Sequence, residues 1–171
     1  MMEMTRGWSD VSFETVLHGE VEEPPYPAFG RWRGAPLRND CADLLRRVGL
    51  RPTRQRMLLG WLLFSKGGRH VTAETLHAEA SETGAQISLA TVYNALHQFT
   101  EAGLLRSIGV DGSKSFFDTD PTTHHHFFVD QEDRLLDVPS PGVSLAKVPE
   151  PLPGYETARV DIIVHLRRKQ V

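Results

Sequence analysis

The densest chemistry in this chain is a run of three consecutive histidines, His124, His125 and His126. On an extended strand alternate side chains share a face, so His124 and His126 point one way and His125 the other. Two imidazoles on one face, two residues apart, make half of a common metal site. The groups that can complete it lie nearby in the reading: Asp118 at the end of one predicted strand, Asp137 on another, and His70 just before a predicted helix. Three imidazoles and two carboxylates without a thiolate suit Fe(II), Mn(II) or Zn(II). Histidine triplets also occur as exposed strand residues, and scattered aspartates are ordinarily solvated, so spacing alone leaves both readings open. His18, His77 and His97 have no such grouping, and His165 either reaches the site or sits at a sheet face.

A second set of polar groups lies on residues 87–105, ISLATVYNALHQFTEAGLL. Ser88 is a good N-cap, because its hydroxyl accepts from an otherwise unpaired N–H of the first turn. Val92, Ala95, Leu96, Phe99 and Ala102 recur at three- and four-residue steps, which predicts a helix with one apolar face. Gly103 can end it in the left-handed conformation. The other face carries Thr91, Tyr93, Asn94, His97 and Gln98. Such side chains bond phosphates or base edges, and a helix N-terminus favours an anion. Read alone, an ordinary amphipathic surface helix explains them as well.

The remaining elements must position these two groups. Asn39 or Asp40 caps a first helix at 40–48, with Leu44, Leu45 and Val48 inward and Gly49 at its end. Pro52 and Thr53 open a second through about Phe64, with Met57, Leu58, Trp61 and Leu62 as its apolar face. Thr72 caps a third, with Leu76 and Ala80 inward, ending near Gly84. After the helix at 87–105, two strands at 105–110 and 113–118 flank Asp111–Gly112, a strong hairpin signal. Three helices followed by a hairpin are the layout of a winged helix, with Lys114 beside the turn, where it either reaches a nucleic-acid backbone or is simply solvated. Further strands are predicted at 124–129, 134–138 and 160–166, with a proline-rich stretch at 140–154 that has room for a short helix near 143–147. The fold class is therefore α+β. So small a second unit seldom stands alone, which points to pairing with a second copy.

Residues 1–37 are less legible. Phe13, Val16 and Leu17 allow a short helix at 9–18, and the Glu- and Pro-rich stretch to Pro27 reads as a linker. Trp8, Phe29 and Trp32 could dock on the body.

Composition narrows the function. A chain of 171 residues, 40% hydrophobic and 24% charged, suits one moderate or two small soluble domains. No apolar run is long enough to span a membrane, and the N-terminus lacks the basic-then-apolar pattern of a secretory signal, so a cytoplasmic location is expected. The single cysteine, Cys41, excludes an internal disulfide and a zinc site of several thiolates from one chain. Charge is uneven: 1–37 and 107–171 each carry a net −3, whereas 38–106 carries +3. That middle segment, with Arg46, Arg47, Arg51, Arg54 and Arg56, is the one basic enough for nucleic acid.

The strings GLRPTRQRMLLGWLL, HVTAETLHAEA, ISLATVYNALHQFTEAGLL, DGSKSFFD and HHHFFV, in that order, resemble the ferric uptake regulator (Fur) superfamily and, within it, the iron response regulator (Irr) branch. The resemblance runs from about Asp40 to Lys169. It implies an N-terminal winged-helix DNA-binding domain, 38–119, after an extension at 1–37, and a small α/β dimerisation and sensing domain, 120–171. The family's sensing ligands fall on His70, Asp118, His124, His126 and Asp137, its recognition tyrosine on Tyr93 and its phosphate-binding arginine on Arg56. Arg54, Ser88, Thr91, Asn94 and Lys114 complete the expected DNA contacts. Two departures matter. The first structural-zinc CxxC positions hold Val129 and Glu132, so no cysteine-bound structural zinc is expected. Cys41 is followed by alanine, so a Cys-Pro haem motif is absent and His124, His125 and His126 become the haem candidates.

The expectation is a homodimeric regulator of iron and haem homeostasis that binds palindromic double-stranded operator DNA. Haem or Fe(II)/Mn(II) would be its signal, and a haem-delivering protein is a further candidate partner. The alternative within the same fold is a repressor activated directly by Fe(II) or Mn(II). A metal-dependent enzyme is not expected, because no nucleophile–base pair or general acid stands beside the ligands.

Overall fold

A computed structural model describes residues 38–112, 114–139 and 142–169. The possible helix at 9–18, the linker after it and the three aromatic residues before 37 lie outside the described residues. Helix α1 spans Arg38–Arg47, α2 Arg54–Phe64, α3 Ala73–Glu82 and α4 Leu89–Glu101. The strands are β1 His70–Val71, β2 Arg106–Gly109, β3 Ser115–Asp118, β4 His126–Val129, β5 Arg134–Asp137 and β6 Ile163–Leu166. The architecture is α+β: a helical unit with a β-wing, followed by a second sheet.

Local capping fixes the helix starts. Thr53, Thr72 and Ser88 sit in extended conformation and accept from the N–H three residues on, that of Arg56, Thr75 and Thr91 respectively. Each cap contributes about 1 kcal/mol. Helix α1 begins at Arg38, earlier than the Asn39 or Asp40 cap predicts. Asp40 lies instead inside the first turn, where its carboxylate faces the positive end of the helix dipole. Gly103 leaves α4 with φ +73, and Gly112 turns the hairpin with φ +79.

The helices bury one core, built on Leu44, Leu45, Leu59, Leu63, Leu76, Val92, Leu96 and Phe99, to which the wing adds Phe117. The inward face of α2 is Leu59, Leu62 and Leu63, while Met57, Leu58 and Trp61 are only half-buried. This corrects the expected face: the run MLLGWLLF is apolar on all sides, so periodicity cannot choose among its stripes.

Strands β1, β3 and β2 form one sheet in that order, and β5, β4 and β6 form the second. In the second sheet β4 pairs antiparallel with β5 and parallel with β6. The sheets pack face to face through Ile108, Phe116, Phe128 and Leu135, with the Phe116 and Phe128 rings edge-on at 5.9 Å. Three predicted elements differ. His124 precedes β4 rather than lying in it. Strand β6 starts at Ile163, because Asp161 is drawn into ion pairs with Arg106 and Arg159. Residues 143–147 form no helix; they are mostly exposed, with prolines at 149 and 151 just beyond.

Candidate metal centre

Register brings the chemistry together. His70 of β1 lies directly opposite Asp118 of β3, and His126 of β4 directly opposite Asp137 of β5. Directly opposed residues share a sheet face, and these are the two faces that pack on each other. The pairing of His70 was invisible in the sequence, since a two-residue strand shows no alternation. His124 joins from the loop between the sheets.

One ligand atom from each of His70, Asp118, His124, His126 and Asp137 lies within 4.8 Å of all the others. Asp118 Oδ2 is 3.0 Å from His124 Nε2, 3.5 Å from His126 Nε2 and 3.6 Å from His70 Nε2. Asp137 Oδ1 is 3.0 Å from His70 Nε2 and 3.2 Å from His124 Nε2. Despite these short separations, the three Nε2 atoms and Asp118 Oδ2 are buried without a well-directed hydrogen bond. They aim at a common centre rather than at one another. Buried polar atoms left in this way are expensive, and a small divalent cation satisfies all of them at once. Nitrogen and carboxylate donors in this ratio fit Fe(II), Mn(II) or Zn(II).

Without a cation the cluster balances its own charge. Burial lowers the His70 pKa, but the close approach of the Asp118 and Asp137 carboxylates outweighs it and raises it to about 9. The same two carboxylates, Asp118 foremost, raise His124 to about 10. Burial raises Asp118, but His124 and His70 more than reverse this and hold it well below the carboxylate range; His124 and His70 do the same to Asp137. Burial, then the charges on His124 and His70, lower His126 and keep it neutral. Cation ligation needs neutral imidazoles. Mn(II) binding at pH 7 is therefore expected to release about two protons per ion. Affinity should climb with pH and level off once pH passes the values of about 9 and 10 for His70 and His124. The metal-free fold should follow the opposite trend. Its two raised histidines stabilise it fully below their ordinary 6.5, and that contribution is lost as pH rises through about 9 and 10. Calorimetry in buffers of different ionisation enthalpy counts the protons; flat affinity from pH 6 to 8 would refute the charge assignment.

The other histidines among the described residues lie elsewhere. His77 Nε2 bonds the Ile87 carbonyl and His165 Nδ1 bonds Asp130, while His125, outside the five-donor group, has a buried Nδ1 without a hydrogen-bond partner. Cys41 is buried on α1.

The expected DNA contacts cluster around α4 and the wing. Tyr93 is exposed and donates from its hydroxyl to Glu74 of α3 at 2.7 Å. Arg56 donates through Nε and Nη2 to Gln98 Oε1 and through Nη1 to the Arg51 carbonyl, which fixes the guanidinium beside α4. Ser88 and Thr91 share a hydroxyl hydrogen bond at the start of α4, Asn94 is exposed one residue after Tyr93, and Arg54 is exposed at the first position of α2. Lys114 donates to Asp133 in the β4–β5 turn at 2.6 Å. Glu74, Gln98 and Asp133 were missed by sequence reasoning as partners; only the packing of α3, α2 and the second sheet brings them near.

Comparison with known proteins agrees with this architecture. The ferric uptake regulator family model matches residues 47–147. The ferric uptake regulation protein of Haemophilus influenzae is 37% identical over 86 residues, covering 50% of this chain and 59% of that protein. Its Escherichia coli counterpart is 34% identical over 90 residues, covering 53% and 61%. The chain thus spans about three-fifths of the length of these curated relatives. Among solved structures, the ferric uptake regulator of Pseudomonas aeruginosa with manganese aligns at TM-score 0.56 and 27% identity, over 76% of this chain and 98% of that one. That of Francisella tularensis with iron aligns at TM-score 0.60 and 21% identity, over 71% and 93%, a likeness of fold. The matched stretch runs from the end of α1 past β5 and takes in the first sheet, strands β4 and β5 of the second and all five converging donors, so the chain belongs to the ferric uptake regulator family.

Proposed function

We propose that this protein is a homodimeric, cytoplasmic, metal-responsive transcriptional regulator of iron homeostasis, with a DNA-binding unit at 38–119 and a dimerisation and sensing unit at 120–171. The observation that carries the reading is the convergence of five nitrogen and oxygen donors between a helical unit with a β-wing and a second sheet. His70 and Asp118 belong to the first, His126 and Asp137 to the second, and His124 to the connection. Holding a cation there would fix one arrangement of the two units, and so the separation of the two α4 helices in a dimer. Half-sites about 34 Å apart, or a multiple of that, require such a fixed separation.

The donor geometry supports Fe(II) or Mn(II) over haem as the signal. His126 is 1% exposed and its Nε2 faces Asp118 within the cluster, which leaves no open axial approach for a porphyrin. The haem response of the iron response regulator branch therefore stands as the second reading, with His125 as its most independent imidazole. The relatives reported above are regulators rather than enzymes.

The test uses a duplex enriched from a randomised library by the Mn(II)-loaded protein. Mn(II) is expected to tighten its binding about 5- to 150-fold over chelated protein, with strong salt dependence. No enriched duplex, or equal affinity with and without Mn(II), would overturn the proposal; release by haemin with no Mn(II) effect would transfer it to the haem reading. On the same duplex, Arg56→Ala should weaken binding to all sequences and lower the salt slope by about 1. Tyr93→Ala should relax preference at one base position, a loss of about 1–3 kcal/mol of discrimination. Library selection compared with wild type checks both, and two wild-type profiles would show that α4 does not read DNA.

A further inference from the structure

The end rows of the two sheets face each other, and four of the five donors fill only part of them, His124 entering from the loop. In the first sheet the row runs His70, Asp118, Arg106 across β1, β3 and β2. In the second it runs Asp137, His126, Ile163 across β5, β4 and β6. His70 meets Asp137, Asp118 meets His126, and Arg106 meets Asp161, two residues before Ile163. The first two encounters belong to the metal cluster. The third is a direct ion pair, with Arg106 Nη2 donating to Asp161 Oδ1 at 2.6 Å.

Arg106 is 6% exposed, and a guanidinium is seldom buried without several acceptors. Its Nη1 donates to the Thr122 carbonyl and, more distantly at 3.5 Å, to the His124 carbonyl. These carbonyls belong to the loop that carries His124 into the cluster. Asp161 is held from its other side by Arg159. Arg106 thus joins the wing, the connecting loop and the approach to β6, in the same row as the donors but at its opposite end.

We propose that the Arg106–Asp161 pair is the fixed pivot of the sensor, a positioning contact about which cation binding at the other end of the row closes the two sheets. The inference rests on the metal-responsive reading above. A clasp at one edge of two facing sheets sets their angle only if the opposite edge is held; otherwise the sheets can close on the ion by sliding or splaying. The pivot also presets the backbone at His124, so that donor enters the cluster already aimed. Arg106 Nη1 also lies 3.4 Å from His124 Nδ1, the ring nitrogen opposite the cluster-facing Nε2, so it acts on that donor through its imidazole edge as well as through the loop backbone and the approach to β6, without itself being a ligand.

The test measures coupling rather than affinity alone. Operator affinity is determined for wild type, Asp161→Asn and Arg106→Lys, with Mn(II) and with chelator, on the duplex selected by the wild-type protein. Both variants keep a polar group in place, and Arg106→Lys keeps the charge, so one can be read if the other fails to fold by circular dichroism. The expected result is chelated binding close to wild type with the Mn(II)-induced increase cut about tenfold. By reciprocity, the duplex should also raise Mn(II) affinity by that much less in calorimetry. A merely structural role would weaken binding equally with and without Mn(II) and leave the ratio unchanged, which would overturn the pivot. A wild-type protein that ignores Mn(II) would overturn the proposed function and the pivot with it; a responsive wild type with full coupling in both variants would overturn the pivot alone.

Discussion

Asp118→Asn is expected to lower Mn(II) affinity by about two orders of magnitude or more, since even hydrogen-bonding partners of metal ligands cost 10- to 100-fold. Asp118 is the centre of the cluster, with one carboxylate oxygen within 3.6 Å of all three imidazole Nε2 atoms. Its other oxygen accepts from the Asp120 N–H at 2.8 Å, which fixes the rotamer. Asparagine keeps the shape but is neutral, and the amide nitrogen has no lone pair to offer a cation. His70 and His124 would also lose the carboxylate that raises their pKa values, so fewer protons should leave on binding. The helical core should hardly notice, because Phe117, not Asp118, faces it. Calorimetry gives affinity and proton count together, and a variant within threefold of wild type in Mn(II) affinity would show that Asp118 is not a ligand.

Phe127→Asp combined with Val164→Asp should convert the protein to a monomer and weaken operator binding by about 10²- to 10⁴-fold, the loss expected when two linked half-site contacts become independent. Leu136, Phe127 and Val164 stand opposite one another across β5, β4 and β6. They occupy the face turned away from Phe128 and Leu135, and Leu136, Val164 and Leu166 are each more than a third exposed. An apolar row on the free face of a small sheet needs a cover, and a second copy offers a self-complementary one. The aspartates point away from the contact between the sheets, so the metal centre should survive. Sedimentation reads the first effect and duplex titration the second; an unchanged dimer would place the interface elsewhere.

What the sequence disclosed and what it hid divide along the range of the forces involved. Capping by Thr53, Thr72 and Ser88 is complete within four residues, so three helix starts could be read directly. The hairpin turn at Gly112 is equally local. The five donors could be nominated from residue chemistry, but their meeting depends on β1 pairing with β3 across almost fifty residues. The inward stripe of α2 was hidden because its surroundings, not its periodicity, select it. Arg106 and Asp161 were hidden most completely. Each reads as an unremarkable charge in its own segment, and only the stacking of two sheets turns them into a pair.

The two hydrophobic cores differ greatly in size. Among the described residues eighteen buried side chains consolidate the helices and the inner face of the wing, against four between the sheets. Free energy of opening follows such differences, so the chain has a robust folding unit and a fragile one. Thermal fluctuation will part the sheets far more often than it melts the helices, and amide protons of β4, β5 and β6 will exchange through that smaller opening. The fragility is useful. On the proposed function, a sensor whose resting population already samples the parted state needs little ligand free energy to be redistributed, while α4 keeps its shape throughout.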